Sequence, residues 1–420
     1  MVKVNQLKKK LSTALFGAFT AVIIYAISQT MGYRFFLDVQ NNIDDRHTVV
    51  RQNQVSRSDN IVIIDIDDYS LKLLGNFKLW PRRYFAQVIS QVKNGGAKFV
   101  FLDVILMHGG KISDNQALVD SVASAGNVIS GYYVNLDNQS KRKRPLDTVY
   151  NDDFTDNWFN SSNYKNIEFI QAENITLPFR ELVTSSKGLG FTNYLPDPDG
   201  IVRHIPLYIT YNHRLLPSAA LQMWLRVKGL DHKRVTISTK GSRFGDTFVP
   251  TDKHCFMRLN YALTGRTYRS ISLASVMKSQ YPPDIFRDKV VMIGSSSSKL
   301  GDLKKVPGHS ALPGVQIHAA ALSTLLEEKF ITVVPGNIIF IFTILAGVLA
   351  ALIFSFLSPL KIGIPVVFGF PVILYCFSLY LFAAHMKLIN ITIPSIVILL
   401  LYIVITIHRI VEHYEQKYPG

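Results

Sequence analysis

The stretch "IVIIDIDDYS", residues 61–70, decides the fold class. Four consecutive β-branched residues are followed by Asp65, Asp67 and Asp68. A short apolar run of this kind, bounded by polar groups, is typical of a strand that is buried on both faces of a parallel sheet. The sequence therefore predicts a buried strand whose carboxyl end carries several acidic side chains.

Similar apolar runs recur along the chain and alternate with stretches of helical periodicity. Further strands are expected at residues 98–106, 127–134 and 289–293, and helices at residues 84–93, 113–125 and 315–328. Strand, helix and strand at this spacing form a βαβ unit, so the strands are expected to run parallel.

Other stretches predict additional β structure and an insertion. Residues 200–217 are expected to form a hairpin that turns at Asn212 and His213, and an amphipathic helix is expected from Ser218. Residues 138–167 are polar and include the basic run KRKRP, which is typical of a mobile insertion. The predicted fold class is therefore α/β, with a mainly parallel sheet, helices and a β-rich insertion.

Four segments are long and apolar enough to cross a bilayer as helices, which takes about 20 residues each. They lie at residues 11–32, 337–357, 362–384 and 388–407. The sequence therefore predicts one transmembrane helix near the N-terminus and three at the C-terminus, with a large domain at residues 33–330 between them.

The distribution of lysines predicts the orientation of these segments. Residues 1–10 contain four lysines and no acidic residue, and basic flanks of transmembrane helices stay in the cytoplasm. Residues 1–10 are therefore expected in the cytoplasm, residues 33–330 outside it, and the tail 408–420 inside again after three further crossings.

The net charge indicates the kind of partner, whereas the two cysteines do not indicate a cellular compartment. The 420 residues carry a formal net charge of +15 and two cysteines, Cys255 and Cys376. Two distant cysteines do not define a disulfide framework. A basic domain outside the cytoplasm is expected to meet anionic lipid or cell-wall polymer rather than nucleic acid.

The acidic end of the first strand has two interpretations. In phosphatases of the haloacid-dehalogenase type, an Asp-x-Asp pair such as Asp65 and Asp67 supplies a nucleophile and an acid/base, with Mg²⁺ held between carboxylates. That chemistry also needs a Ser or Thr, a Lys and a further acidic cluster to hold phosphate and metal. Asp302, in the sequence Gly301-Asp302, is the only acidic match to that cluster, and no second carboxylate accompanies it. The interpretation that we favour is that Asp67 or Asp68 caps the helix that follows.

A run of serines follows the strand expected at 289–293. Residues 294–299 resemble a phosphate-binding loop in composition, but the order of Gly and Lys differs from that of a P-loop. Ser295 and the neighbouring backbone N–H groups would still lie at the carboxyl edge of the sheet, where open α/β sheets bind ligands. A plain loop between strand and helix is the alternative.

Two further polar groups have both a structural and a functional interpretation. Asp199 and Arg203 flank the turn "DPDG", and we expect them to pair, with capture of an anion by Arg203 as the alternative. His318 begins a predicted helix and is expected to be a partly buried structural histidine. The histidines show no spacing typical of a zinc site.

Three motifs, in order, resemble those of bacterial CHASE-two sensors (cyclase/histidine-kinase-associated sensory extracellular domains, second class). They are "IVIIDIDDYSLKLLG" with the following "LWPRRYFAQVISQVKNGGAKFVFLDVIL", then "GFTNYLPDPDGIVRHIPL", and "FRDKVVMIGSSSSKLGDLKKV" with "LPGVQIHAAALSTLL". The first contains an acidic pair, Trp80-Pro81-Arg82 and a strand that bears Asp103. The resemblance covers about residues 40–330, and the helices extend it to about 410.

This resemblance implies a membrane sensor rather than an enzyme, in the bacterial cytoplasmic membrane with the large domain periplasmic or extracellular. Family members carry a cyclase, kinase or diguanylate cyclase domain after the last helix, where this chain has residues 408–420. The output is therefore expected to be missing from this chain or to be supplied by a partner. The resemblance implies no binding residue.

Expectations about ligands and partners follow from these patterns. We expect a ligand, if one binds, near polar side chains of the motifs at the sheet edge: Asp65, Asp67, Arg82, Asp103, Ser295, Asp302 and His318. Expected partners are membrane lipid, an unknown extracytoplasmic ligand and a cytoplasmic cyclase, kinase or other output protein; a homodimer is compatible with the sequence, and no cofactor or metal is expected.

Two other classes of function remain open at this point. One is a membrane-tethered phosphatase or hydrolase that uses Asp65 and Asp67. The other is a structural envelope protein whose basic outer domain binds anionic polymer.

Overall fold

The chain divides into two compact units. The computed structural model describes residues 2–52, 58–136, 159–160, 164, 167–230, 235–262, 268–357 and 359–418. One unit comprises Met1–His47 and Ile331–Gly420, and the other comprises Thr48–Phe330. The insertion expected at residues 138–167 lies mostly outside the described residues.

The described helices and strands are labelled in chain order. The helices are α1 (Val2–Gln29), α2 (Tyr33–Gln52), α3 (Asp68–Leu74), α4 (Arg83–Asn94), α5 (Ile112–Ala125), α6 (Arg180–Ser185), α7 (Ala219–Lys228), α8 (Leu273–Met277), α9 (Gly314–Glu327), α10 (Gly336–Phe356), α11 (Ile364–His385) and α12 (Thr392–Lys417). The strands are β1 (Ile61–Asp65), β2 (Phe99–Leu102), β3 (Val128–Asn135), β4 (Phe159–Asn160), β5 (Asn174–Thr176), β6 (Gly188–Phe191), β7 (His204–Pro206), β8 (Tyr208–Tyr211), β9 (Arg214–Pro217), β10 (Val235–Ser238), β11 (Gly241–Phe244), β12 (Thr247–Pro250), β13 (Phe256–Arg258), β14 (Arg269–Ser272), β15 (Val290–Gly294), β16 (Leu303–Val306), β17 (His309–Pro313), β18 (Thr332–Val333) and β19 (Lys387–Leu388).

A mainly parallel sheet forms the centre of the Thr48–Phe330 unit. Its strands follow the order β14-β1-β15-β2-β3, and each neighbouring pair runs parallel. β6 also runs parallel to β3, whereas β5 pairs with the end of β3 in the antiparallel sense. The structure confirms the predicted α/β class with its mainly parallel sheet.

The order of the strands differs from their order in the sequence at one important place. β1 and β2 run in the same direction, as the βαβ pattern predicts, but they are not neighbours because β15 lies between them. Val291 of β15 is aligned with Val62 on one side and with Val100 on the other. The end of β15 therefore lies between the ends of two strands that precede it by about two hundred residues.

Alternate residues of the strands face two separate layers of the core. Ile61 and Ile63 pack in a cluster with apolar residues of α7 and α9. Val62 and Ile64 pack in a second cluster with residues of α4, α5 and α8. Because side chains alternate along a strand, this burial on both faces explains the uninterrupted apolar run.

Several local predictions agree with the structure, with shifted boundaries. The hairpin of β8 and β9 turns at Asn212 and His213, both with positive φ. The helix expected from Ser218 begins after it, with the Ser218 side chain as its N-cap. β2 is shorter than the strand expected at 98–106, because the chain leaves the sheet after Leu102.

β-rich segments lie between β6 and β14, as expected for this fold. The described segments form a sheet of β10, β11 and β12, a β7–β13 pair and the β8–β9 hairpin, which also pairs with β4. The β16–β17 hairpin follows β15 and leads directly into α9.

Four helices of the other unit are long and apolar enough to cross a membrane, as predicted. Their apolar ranges are Gln6–Gln29, Gly336–Phe356, Lys361–His385 and Thr392–Lys417. The last helix begins at Thr392 rather than at 388, because β19 pairs in parallel with β18 just before it. α2, the amphipathic helix after α1, is a feature that the sequence analysis missed.

Candidate functional site

A cavity of about 680 Å³ lies at the carboxyl edge of the parallel sheet. Residues that directly follow β2, β6 and β15 line it, because parallel strands end at the same edge. Open α/β sheets bind their ligands at this edge. Its polar and aromatic lining includes Phe77, Asp103, Tyr133, Asn135, Asn193, Tyr194, Ser295, Asp302, Lys304 and His318.

Asp103 is the first residue after β2, and its side chain lines the cavity. Its backbone N–H donates to the carbonyl oxygen of Ile293 at 2.8 Å, which continues the ladder between β2 and β15. Among the residues that the structure describes, none donates a hydrogen bond to its carboxylate or forms an ion pair with it. Burial, with a contribution from the nearby Asp302 carboxylate, raises the pKa of Asp103 to about 8.

Asp302 faces the same cavity but has several partners. The Tyr194 hydroxyl donates a hydrogen bond to its carboxylate, and the Lys304 ammonium lies 3.9 Å away. A Cβ added at Gly314, the first residue of α9, would overlap the Asp302 carboxylate. The carboxylate therefore lies against the N-terminus of α9, whose exposed N–H groups favour a negative charge.

His318, one turn into α9, forms a buried part of the cavity wall. Its side chain is 3% exposed, and its ring lies 5.9 Å from the rings of Phe101 and Tyr194, centroid to centroid. A ring nitrogen donates to the backbone carbonyl of Thr192. Burial lowers the pKa of His318 to about 4, so the ring is neutral at physiological pH.

The Asp-x-Asp carboxylates of the opening motif lie outside the cavity lining. Asp65 accepts hydrogen bonds from the N–H and the hydroxyl of Ser296, at 2.8 and 2.5 Å. Asp67 accepts from the N–H of Ser70 at 2.8 Å and from the Ser272 hydroxyl at 2.9 Å. The prediction that Asp67 caps the following helix is confirmed.

The serine run joins β15 to the end of β1. The Ser295 hydroxyl, which lines the cavity, donates to the carbonyl of Ile66 at 3.0 Å. The Ser297 hydroxyl donates to Asp68 at 2.5 Å. These contacts hold the serine loop against the acidic end of β1. The carboxylates of Asp65 and Asp68 therefore accept hydrogen bonds from within the protein.

Arg82 does not line the cavity. Its guanidinium donates to the side chain of Asn115 at 2.9 Å and to the backbone carbonyl of Met107, and it stacks over the ring of Phe179 at 4.5 Å. Since Met107 belongs to the segment after β2, Arg82 fixes the path by which the chain leaves the sheet edge.

Arg203 is paired within its own turn, as expected. Its guanidinium lies 2.7 Å from Asp199 and 2.6 Å from Asp197, and its side chain is 3% exposed. The carboxylates of this turn therefore compensate the buried guanidinium, which leaves little reason for it to capture an external anion.

The seven residues predicted near a ligand thus fall into two groups. Asp103, Ser295, Asp302 and His318 line one cavity, and Asp65, Asp67 and Arg82 make internal contacts beside it. Binding by any of them remains a prediction. Tyr194 and Lys304 were not predicted from the sequence, although both belong to the quoted motifs. Their positions just after β6 and in β16 were the available signal.

The family model of the CHASE2 domain matches residues 18–354. This chain belongs to the CHASE2 family. No curated protein and no solved structure matches the chain.

CHASE2 domains are sensory extracellular domains, not catalytic ones. The match spans most of the chain, from within α1 to within α10, and so includes the whole parallel sheet. This CHASE2 chain, with four helices able to span a membrane, is therefore a membrane sensor.

Proposed function

We propose that this CHASE2 protein is a transmembrane signal receptor. Its Thr48–Phe330 unit, called the sensory unit below, would bind a stimulus outside the cytoplasm. The membrane helices would pass the resulting change to a cytoplasmic cyclase, kinase or other output. The observation that carries the proposal is the cavity at the carboxyl edge of the sheet, with a carboxylate, Asp103, that has no partner among the described residues. A carboxyl group that lines a cavity and whose pKa is strongly raised is a candidate functional group.

The orientation of the proposed receptor rests on the positive-inside rule. Residues 1–10 contain four lysines and no acidic residue, and the uncharged part of α1 follows them, so the N-terminus would lie in the cytoplasm of a bacterial cell. One crossing then places the sensory unit outside the cytoplasmic membrane, and three more return the C-terminal tail to the cytoplasm.

Transmission requires an element with two states that the cavity can bias. α2 is one uninterrupted helix, and the boundary between the two units falls within it, after His47. In the sensory unit, the Gln52 side chain near the end of α2 donates to the carbonyl of Pro307 at 2.9 Å. Pro307 joins β16 to β17, and β16 begins directly after Asp302, so α2 is a suitable element to respond to the cavity.

The proposal is tested by fusing an adenylate cyclase catalytic domain after Gly420 and measuring cyclic AMP in cells that lack their own cyclase. Asp302→Asn removes a charge from the cavity and should change the basal output roughly fivefold or more, in line with ordinary allosteric coupling energies. Asp284→Asn is the matched control, since that carboxylate is exposed and pairs with Arg287 on the surface.

Membrane levels of each fusion are compared by immunoblot, so that a change in output is not a change in abundance. Equal output from the Asp302→Asn, Asp103→Asn and wild-type fusions would contradict the receptor function, as would equal effects of Asp302→Asn and Asp284→Asn.

A further inference from the structure

The cavity contains two carboxylates whose surroundings differ sharply. Asp302 is compensated by the Tyr194 hydroxyl, by the Lys304 ammonium at 3.9 Å and by the N-terminus of α9. Asp103 has no such partner among the described residues, and the charge of Asp302 acts on it unfavourably. Asp103 is therefore the carboxylate of this cavity that lacks a counter-charge among the described residues.

A partly buried carboxylate in this situation can become stable in two ways. It can take up a proton, or it can pair with a cation that enters the cavity. Both remove the unfavourable charge, so the proton and the cation compete for the same oxygen atoms. A cationic ligand would gain the most binding free energy beside a carboxylate that has no cationic partner within the protein.

None of the other charged or titratable groups in the described lining of the cavity acts as a cationic partner of Asp103. Lys304 pairs with Asp302 and lies over the ring of Tyr194, 5.3 Å from its centroid. His318 is neutral, since burial lowers its pKa to about 4. Tyr194 stays protonated because burial and the neighbouring Asp302 raise its pKa, and Tyr133 is the other phenol in the lining.

The lining favours an organic cation over a metal ion. Within the described residues, no group of three His, Cys, Asp or Glu side chains is placed to hold a metal. Phe77, Tyr133 and Tyr194 instead contribute aromatic rings, and leucine and isoleucine side chains contribute apolar surface. Aromatic faces attract ammonium groups, and the volume accommodates an apolar body attached to one.

We propose that the cavity binds a small organic cation, an ammonium group on an apolar body, whose charge pairs with the carboxylate of Asp103. This inference rests on the proposed receptor function and names the class of its stimulus. The amide groups of Asn135 and the hydroxyl of Ser295 border the same space and can accept hydrogen bonds from a primary ammonium.

Proton competition gives this proposal a distinctive signature. Because the pKa of Asp103 is raised to about 8, most Asp103 side chains carry a proton at pH 7, and the ammonium must displace it. Binding at pH 7 should therefore release close to one proton, and the affinity should fall on the order of 100-fold between pH 9 and pH 6.

The test uses the purified full chain in lipid nanodiscs and three probes with one carbon skeleton. They are 2-phenylethylamine, 2-phenylethanol and phenylacetate, which are a cation, a neutral molecule and an anion. Isothermal titration calorimetry, with the heat of empty nanodiscs subtracted, should show the amine binding at least 10-fold more tightly than the alcohol or the acid. Titrations in two buffers of different ionisation enthalpy give the number of protons released.

Variants separate a direct role of Asp103 from a change in folding. Asp103→Asn, which keeps the size and shape of the side chain, should remove both the preference for the amine and the release of a proton. Asp284→Asn, on the surface, should retain both. Thermal unfolding of each variant verifies that it is folded.

Three outcomes would overturn the proposal. They are no binding of the amine or of a homologous series from methylammonium upward, equal binding of the three probes, and amine binding that Asp103→Asn leaves unchanged. Stabilisation by Mg²⁺ or Ca²⁺ with none by amines would replace the organic cation with a metal. Because binding is measured without the cyclase, a failure here is distinct from a failure of signalling in the fusion.

Discussion

At the scale of single residues, Asp103 should make the stability of the sensory unit depend on pH. The folded protein holds a proton on Asp103 up to about pH 8, whereas the unfolded chain loses it near pH 3.8. Between these values the folded state binds more protons, so stability falls as pH rises, by at most about 1.4 kcal/mol per pH unit.

We expect Asp103→Asn to remove this loss. The melting temperature of the variant, relative to wild type, should rise from no difference near pH 4 to a plateau above pH 8. The fluorescence of tryptophan reports on this unit, since all three tryptophans lie between residues 48 and 330. A constant difference between the variant and wild type across this range would contradict the assignment.

His318 affects the pH dependence of stability in the opposite direction, and its contribution must be separated from that of Asp103. Because burial lowers its pKa from 6.5 to about 4, the unfolded chain binds more protons than the folded chain between these values. Its contribution is present above pH 6.5 and is lost as pH falls towards 4. The wild-type profile below pH 6.5 therefore combines two opposing slopes, and the difference between variant and wild type isolates Asp103.

The sequence predicted part of the candidate site because some of its signals are local. Asp103 and Ser295 directly follow strongly apolar strands, and the ends of parallel strands meet at one edge. The pairing of Asp302 with Tyr194 is not visible in this way, because 108 positions separate them. Arg82 shows the converse: its motif is distinctive, yet its side chain fixes the chain path through Asn115 and Met107.

At the scale of elements, the individual strands were predictable and their order was not. The apolar runs of β1, β2, β3 and β15 depend on burial on both faces, which any central position in a parallel sheet provides. Consecutive strands are often neighbours, and that expectation fails where β15 enters between β1 and β2. This non-local pairing brings Ser295 next to Asp103, so the site depends on the feature that local patterns do not determine.

α2 was missed because its apolar positions are interrupted by polar residues that are buried in the structure. Gln40, Asn41, Asp44 and His47 are each less than 10% exposed. A polar side chain in a helix usually faces solvent, so the sequence alone gave no reason to expect these positions in contact with other helices.

Gln40 should be important for the stability of the helical unit. Its side-chain oxygen accepts hydrogen bonds from the N–H groups of Ile391 and Thr392 and from the Thr392 hydroxyl, at 3.1, 3.3 and 2.9 Å. Its amide nitrogen donates to Asp44 at 2.8 Å and to the carbonyl of Ile389 at 3.1 Å. It thereby ties α2 to the start of α12.

Gln40→Leu keeps the approximate size of the side chain but leaves these buried groups unsatisfied, at a cost of about 1–3 kcal/mol for each group. We expect a clear fall in the apparent melting temperature, measured by size-exclusion chromatography of a fluorescent-protein fusion after heating. Asn42→Leu, on the exposed side of α2, should have little effect. Equal melting temperatures for the two variants would show that Gln40 does not hold α2 to α12.

At the scale of the whole molecule, the prediction concerns which side of the membrane each part occupies. Four crossings from a cytoplasmic N-terminus return the C-terminus to the cytoplasm, which an output on that side requires. Alkaline phosphatase depends on disulfides that form outside the cytoplasm. It should therefore be active when inserted at Asp246, in the exposed turn between β11 and β12, and inactive when fused after Gly420.

A matched pair of fusions makes this prediction sensitive to each crossing. Phosphatase fused after Met386 follows three membrane helices and should be active, whereas the same enzyme fused after Gly420 follows four and should be inactive. Green fluorescent protein, which becomes fluorescent in the cytoplasm, should give the reverse pattern at the two positions. Active phosphatase after Gly420 would place the tail outside the cytoplasm and would contradict a cytoplasmic output connected through the tail.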